Sequence, residues 1–142
     1  MDLKKSIIAS ALVTFYFAAP GSTVSELGNA KKVAEQFIQL VDNNEADKLK
    51  NLLHPEMLQY VTLDGKLIPF KAADFIQMVA DKKIGGTPRK ITHKNSDIIR
   101  GDAAYIVLQA VSHEYDFMYH LSMAKNDGKW VIVGIVADIV KV

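Results

Sequence analysis

The alternation of apolar and polar positions is clearest in the last third of the chain. There, residues 117–124 and 130–136 form two apolar-rich runs on either side of Asp127-Gly128. Asp-Gly between β-rich runs predicts a two-residue hairpin turn, because both central residues must take φ > 0. The turn sets a register in which Asn126 faces Lys129, Met123 faces Ile132, Leu121 faces Gly134, Tyr119 faces Val136 and Phe117 faces Asp138. One face then carries Phe117, Tyr119, Leu121, Met123, Trp130, Ile132 and Val136. The other carries Met118, His120, Ser122, Ala124, Val131, Val133 and Ile135. Both faces are largely apolar, so both are expected to be covered.

Upstream, the period changes to that of a helix. Over residues 25–42, Val33, Phe37, Leu40 and Val41 form a stripe with Ala34 and Ile38 beside it. Asp42-Asn43-Asn44 ends that helix. A short second helix is expected over Glu45–Leu53, stopped by His54-Pro55, since the residue before proline is pushed out of the helical region. Met57–Asp64 and Leu67–Phe70 read as a hairpin about Asp64-Gly65, with Pro69 marking an edge strand. Residues 71–82 are helical again, with Ala72, Phe75, Ile76 and Val79 on one side. Lys83–Arg89 is a loop by composition. Lys90–Arg100 and Ala103–Val111 are strands that lead into the closing hairpin. Helices early and an antiparallel meander late make an α+β layout, with helices on one face of a bent sheet.

Composition narrows the setting. The chain has 142 residues, is 49% hydrophobic and carries a net charge of +1. That suits one globular domain with a real core, and it leaves no basic field to hold nucleic acid. Cysteine is absent, which excludes disulfides, thiol catalysis and thiolate metal sites. Residues 1–21 have the form of a secretory leader: Lys4 and Lys5, then the uncharged run Ser6–Ala19, then Pro20 and small residues before a cut after Gly21, with Gly28-Asn29-Ala30 offering small residues for a second candidate cut. The run is shorter than the ~20 residues that span a bilayer. Cleavage would leave residues 22–142 as a single domain with acidic and basic residues in equal number, in the periplasm or outside the cell.

Three stretches then carry a resemblance. They are the early helices ending Leu52-Leu53-His54-Pro55-Glu56, the Leu63-Asp-Gly-Lys-Leu67 hairpin running into a helix with Phe75, and Leu121-Ser-Met-Ala-Lys-Asn-Asp-Gly-Lys-Trp130-Val-Ile132. Over about residues 28–140 the chain resembles the nuclear transport factor 2-like superfamily, and within it the group named "putative lumazine-binding". The resemblance implies a cone-shaped, curved antiparallel sheet packed on three N-terminal helices with an internal pocket, and a homodimer through the outer sheet face. It implies no single activity, because the superfamily holds both enzymes and ligand-binding proteins.

The candidate chemistry follows from the register. Phe117, Tyr119, Leu121, Met123, Trp130, Ile132 and Val136, with Tyr60, are the expected lining of an apolar pocket that holds a small hydrophobic or aromatic molecule. Val131, Val133, Ile135 and His120 are the expected dimer face. Asp138 falls on the same face as Tyr119, so a carboxylate and a phenol could act as an acid–base pair, with His54 as another partner at the pocket mouth. His54 is also placed to bond the carbonyls that end its helix. The histidines have no metal-ligand spacing, and no cofactor motif occurs. The first reading is therefore an exported binding module without catalysis. The second is a small isomerase, dehydratase or hydrolase built on Asp138.

Overall fold

The computed structural model describes residues 26–142. The leader expected over 1–21 lies outside the described residues. Helix α1 covers residues 26–42, and its buried apolar side chains are Ala30, Ala34, Phe37, Ile38 and Val41. The buried stripe is turned slightly from the expected one, leaving Val33 and Leu40 half-buried at its border. Asn44 ends the helix at φ 53, while Glu45 N–H donates to Leu40 C=O and Asn44 N–H to Val41 C=O. This is the paired closure that a left-handed residue just past a helix permits, and asparagine tolerates that conformation.

Helix α2 is one turn, Ala46–Leu49. It is shorter than expected because the chain enters β1, Leu53–Leu63, before the proline rather than after it. Strand β2, Lys66–Lys71, returns antiparallel to β1 around Asp64-Gly65. It lies at the sheet edge, where Pro69 costs no ladder bond. Helix α3, Ala72–Ala80, buries Ala72, Phe75 and Val79. The single strand expected over 90–100 is two pieces, β3 (Lys90–His93) and β4 (Ile98–Arg100), both paired to β5 (Ala103–Val111). Asn95 at φ 57 breaks the run, and the Asp97 carboxylate takes over one ladder position by accepting from Val107 N–H. Strands β6 (Tyr115–Asn126) and β7 (Lys129–Lys141) form the closing hairpin.

The described strands make one seven-stranded sheet in the order β2-β1-β7-β6-β5-β3, with β4 also on β5. It is curved and unclosed. Neighbours are antiparallel except β1 and β7, which run parallel with Gln59 level with Ile135 and Val61 level with Ala137. The α+β class and the curved sheet under helices are thus as expected, with that parallel pair as an addition.

The hairpin contains the main correction. Asn126↔Lys129 through Met123↔Ile132 follow the expected register. Val133 is then an extra residue on β7, so Ser122 pairs with Gly134, Tyr119 with Ala137, Met118 with Asp138 and Phe117 with Ile139. One bulged residue exchanges the two faces of the strand beyond it. Ile135 therefore points inward at 2% exposure, and Val136 points outward at 44%.

Candidate functional site

Between the inner face of the sheet and the ends of α1 and α3 lies a cavity of about 560 Å³. Its walls are mostly apolar: Val61, Ile68 and Ile139 from the sheet, Val41 and Phe75 from the helices. Ring faces of Phe117 and Tyr119 form one side; they stack with centroids 5.9 Å apart.

Local structure explains how a loop residue becomes part of this wall. The Asn44 amide donates to Val79 C=O (3.1 Å) and Ile84 C=O (2.9 Å), fastening the end of α1 to the end of α3. Gly86 N–H donates to Val41 C=O at 3.2 Å. Gly85 sits at φ +79, so close to Val41 that a Cβ would run into its carbonyl. Only glycine allows that backbone approach. The 83–89 loop is thereby laid along the end of α1 and delivers Arg89 beside Asp42.

Arg89 is the centre of the site. Its side chain is 4% exposed, and that of Asp42 is 8% exposed. Arg89 Nε–H donates to Asp42 Oδ1 at 2.6 Å, and Arg89 N–H donates to Asp42 Oδ2 at 3.1 Å. Nη1–H donates to the Tyr119 hydroxyl at 2.6 Å, and the guanidinium carbon lies 4.5 Å from the Phe117 ring centre. Nη2 is buried with no hydrogen-bond partner among the described residues, as is Gln59 Oε1 on the same cavity wall. Buried polar groups are normally paired, so two orphans on residues that line one largely apolar hollow mark a place for a ligand's polar atoms.

The protonation states follow from burial. Burial pushes the Tyr119 phenol above its ordinary value, with Arg89 only partly offsetting it, so the hydroxyl keeps its proton at neutral pH. Burial also pushes the Asp42 carboxyl above its ordinary value, and Arg89 offsets only part of that. Burial works against the Arg89 charge, but Tyr119 and Asp42 outweigh it and hold the group above its ordinary value.

Of the residues expected to line the pocket, Phe117 and Tyr119 do so. Leu121, Met123, Trp130 and Ile132 are buried on the inner side but fill the core rather than the cavity. Trp130 sits under Lys125, which also pairs with Glu26 at the start of α1. Val136 and Tyr60 are corrections, since both face outward, Tyr60 because the inward positions of β1 are Met57, Gln59 and Val61. Asp138 is a further correction: the Val133 bulge puts it on the exposed side, where it accepts from Thr62 Oγ1 at 2.5 Å. It cannot meet Tyr119 across the sheet, so that acid–base pair does not exist. His54 joins neither the cavity nor the helix-end carbonyls; its Nδ1 accepts from Glu56 N–H at 3.1 Å. Within the expected dimer face, Val131, Val133 and His120 are on the outer side, and Ile135 is not. His120 Nδ1 bonds the Tyr105 hydroxyl at 2.6 Å.

Asp42, Gln59 and Arg89 were not anticipated. One signal existed for Arg89: among 17 basic residues only positions 89 and 100 are arginine, the residue suited to buried ion pairs. Among the described residues no cluster of three or more His, Cys, Asp or Glu could hold a metal ion, and no helix is long and apolar enough to cross a membrane.

Comparison with known proteins follows the same outline. The family model described as "Putative lumazine-binding" matches residues 25–136. No curated protein matches. The fold is similar to that of an NTF2-like protein of unknown function from Silicibacter pomeroyi DSS-3, with TM-score 0.74 and 19% identity over 83% of this chain and 98% of that one. It is also similar to one from Shewanella baltica OS155, with TM-score 0.72 and 15% identity over 82% and 95%. A cystatin-like fold protein from Burkholderia xenovorans LB400 matches at TM-score 0.62 and 11% identity, over 81% and 92%.

Proposed function

The chain belongs to the "Putative lumazine-binding" family on the NTF2-like fold, and from that premise we propose that it is a non-catalytic module that binds a flat, largely apolar small molecule in the cavity under α1 and α3. The observation that carries this reading is the buried Arg89 guanidinium. It is stacked on Phe117, with one nitrogen unpartnered, on a residue that lines a mostly apolar cavity. Ligand sites typically combine apolar walls with a few polar groups that fix orientation. The volume suits a two- or three-ring system, and the aromatic wall suits a planar one. Lumazine, which gives the family its name, is a bicyclic dione of this kind.

Two further elements belong to the proposal. The leader-like residues 1–21 support export to the periplasm or beyond, where the domain would act. Leu58, Tyr60 and Val136, exposed together on the outer side of β1 and β7, support a homodimer through that face, with Val133 and His120 nearby in place of the inward Ile135.

Calorimetric titration with lumazine, riboflavin and 2-naphthamide tests the binding reading. Saturable 1:1 heat with at least one of them is expected. No heat and no shift in thermal unfolding with any of the three would overturn it.

A further inference from the structure

The cavity's polar end is specific about charge as well as position. Arg89 Nη2 has no partner among the described residues. The Tyr119 oxygen accepts from Arg89 Nη1. Arginine has no acceptor atom, so this bond leaves the phenol hydrogen free to donate, and no protein acceptor for it appears among the described residues. Two unused donors, Nη2–H and the Tyr119 O–H, therefore lie on the same guanidinium–phenol unit. A single carbonyl oxygen, with two lone pairs, can accept from both.

Formal charge decides which kind of oxygen fits. The Arg89 cation is already matched by Asp42, which accepts one hydrogen bond from its Nε–H and one from the Arg89 backbone N–H. Tyr119 is a neutral phenol. The inner end therefore has no spare positive charge. Around the rest of the wall, the ionisable groups are Lys83, His113, Glu114 and Tyr115, of which Lys83 and Glu114 carry opposite charges. A ligand carboxylate would give one guanidinium two anions to satisfy, and it would lose its hydration on entry. Against mostly apolar walls both effects count against it. A neutral carbonyl or amide oxygen satisfies the same donors at no such cost.

Resting on the reading of this cavity as a ligand site, we infer that its Arg89–Tyr119 end recognises a neutral carbonyl or amide oxygen and rejects a carboxylate. Gln59, on β1 level with Leu121 across β7, has an orphan amide oxygen and lines the same hollow. Strands two apart in a sheet are separated by roughly 10 Å, so this second contact reaches the far side of a ring system rather than the same oxygen. The ligand class is a neutral planar heterocycle or aryl amide with a carbonyl at one end and a hydrogen-bond donor toward the other. The end that enters first is uncharged.

Three matched probes separate the possibilities in the unmodified protein at pH 7.5: 2-naphthamide, 2-naphthoate and 2-methylnaphthalene. Calorimetry is expected to place the amide at least about tenfold tighter than the carboxylate, because the carboxylate is desolvated without a free cation to meet it. The amide should also bind more tightly than the hydrocarbon. Tyr119→Phe, which keeps the ring, should narrow the gap between amide and hydrocarbon. Naphthoate binding as tightly as the amide, or more tightly, would overturn the charge inference and leave the cavity reading standing. Equal affinity for amide and hydrocarbon would overturn the carbonyl contact. Failure of all three probes to bind would remove the cavity reading and this inference with it.

Discussion

Arg89 shows how one side chain is held by several weak claims at once. Its guanidinium is shared among a carboxylate, a phenol oxygen and an aromatic face. Removing one member of a buried charge pair strands the other. Arg89→Leu should therefore lower unfolding stability by about 3–5 kcal/mol, and the double replacement Asp42→Leu with Arg89→Leu should recover much of that. Urea unfolding of the three proteins checks the order. Tyr119 gives a pH prediction. Its folded-state pKa is raised, so its contribution to stability is full below about 10, the unfolded value, and is lost as pH rises beyond it. Between pH 9 and 11 the native protein should lose stability faster than Tyr119→Phe; equal slopes would count against a buried phenol. Little of this residue chemistry was legible in the chain. Asp42 reads simply as the end of a helix and Gln59 as one polar position in a strand. Arg89 falls in a Gly-Gly-Thr-Pro loop. Their meeting depends on contacts between segments 30 to 47 residues apart.

At the level of elements, turns were easier to read than strand parity. Asp127-Gly128 and Asp64-Gly65 are turns with positive φ at all four residues, as dipeptides of that type predict. The faces of β7 were read correctly only as far as Ile132. Val131-Ile-Val-Gly134 fits a continuous strand, and the isolated Gly134 was the one sign of a bulge. That one extra residue moved Asp138 out of the site and brought Ile135 into the core. The second consequential element is the 83–89 loop, pinned by Asn44 and by the approach of Gly85 to Val41. Gly85→Ala combines a left-handed φ with a clash against backbone. It should destabilise by about 2–3 kcal/mol, against about 1 kcal/mol for Gly65→Ala, where the added methyl meets open space. Melting temperatures of the two variants test this, and equal shifts would mean that the loop does not lie against α1.

For the whole molecule, the class and the general layout came through because they depend on many residues and survive local error. Periodicity located the helices and strands, and the early-helix, late-meander order indicated a sheet covered on one side. The parallel pairing of β1 with β7 was not legible, because strand order is set by packing rather than by local pattern. If two copies meet through the outer face, Val136→Asp should shift sedimentation toward the monomer. A native protein that is monomeric at millimolar concentration would remove the dimer proposal without affecting the cavity. The proposals on ligand and charge instead require the working face to be the one under the helices. Backbone and side-chain NMR of the labelled protein during titration with 2-naphthamide reads that directly. The largest shifts should fall on Phe117, Tyr119, Ala137 and the Arg89 Nε–H. Shifts confined to Tyr60, His120 and Val136 would place the ligand on the opposite side of the sheet and contradict the account.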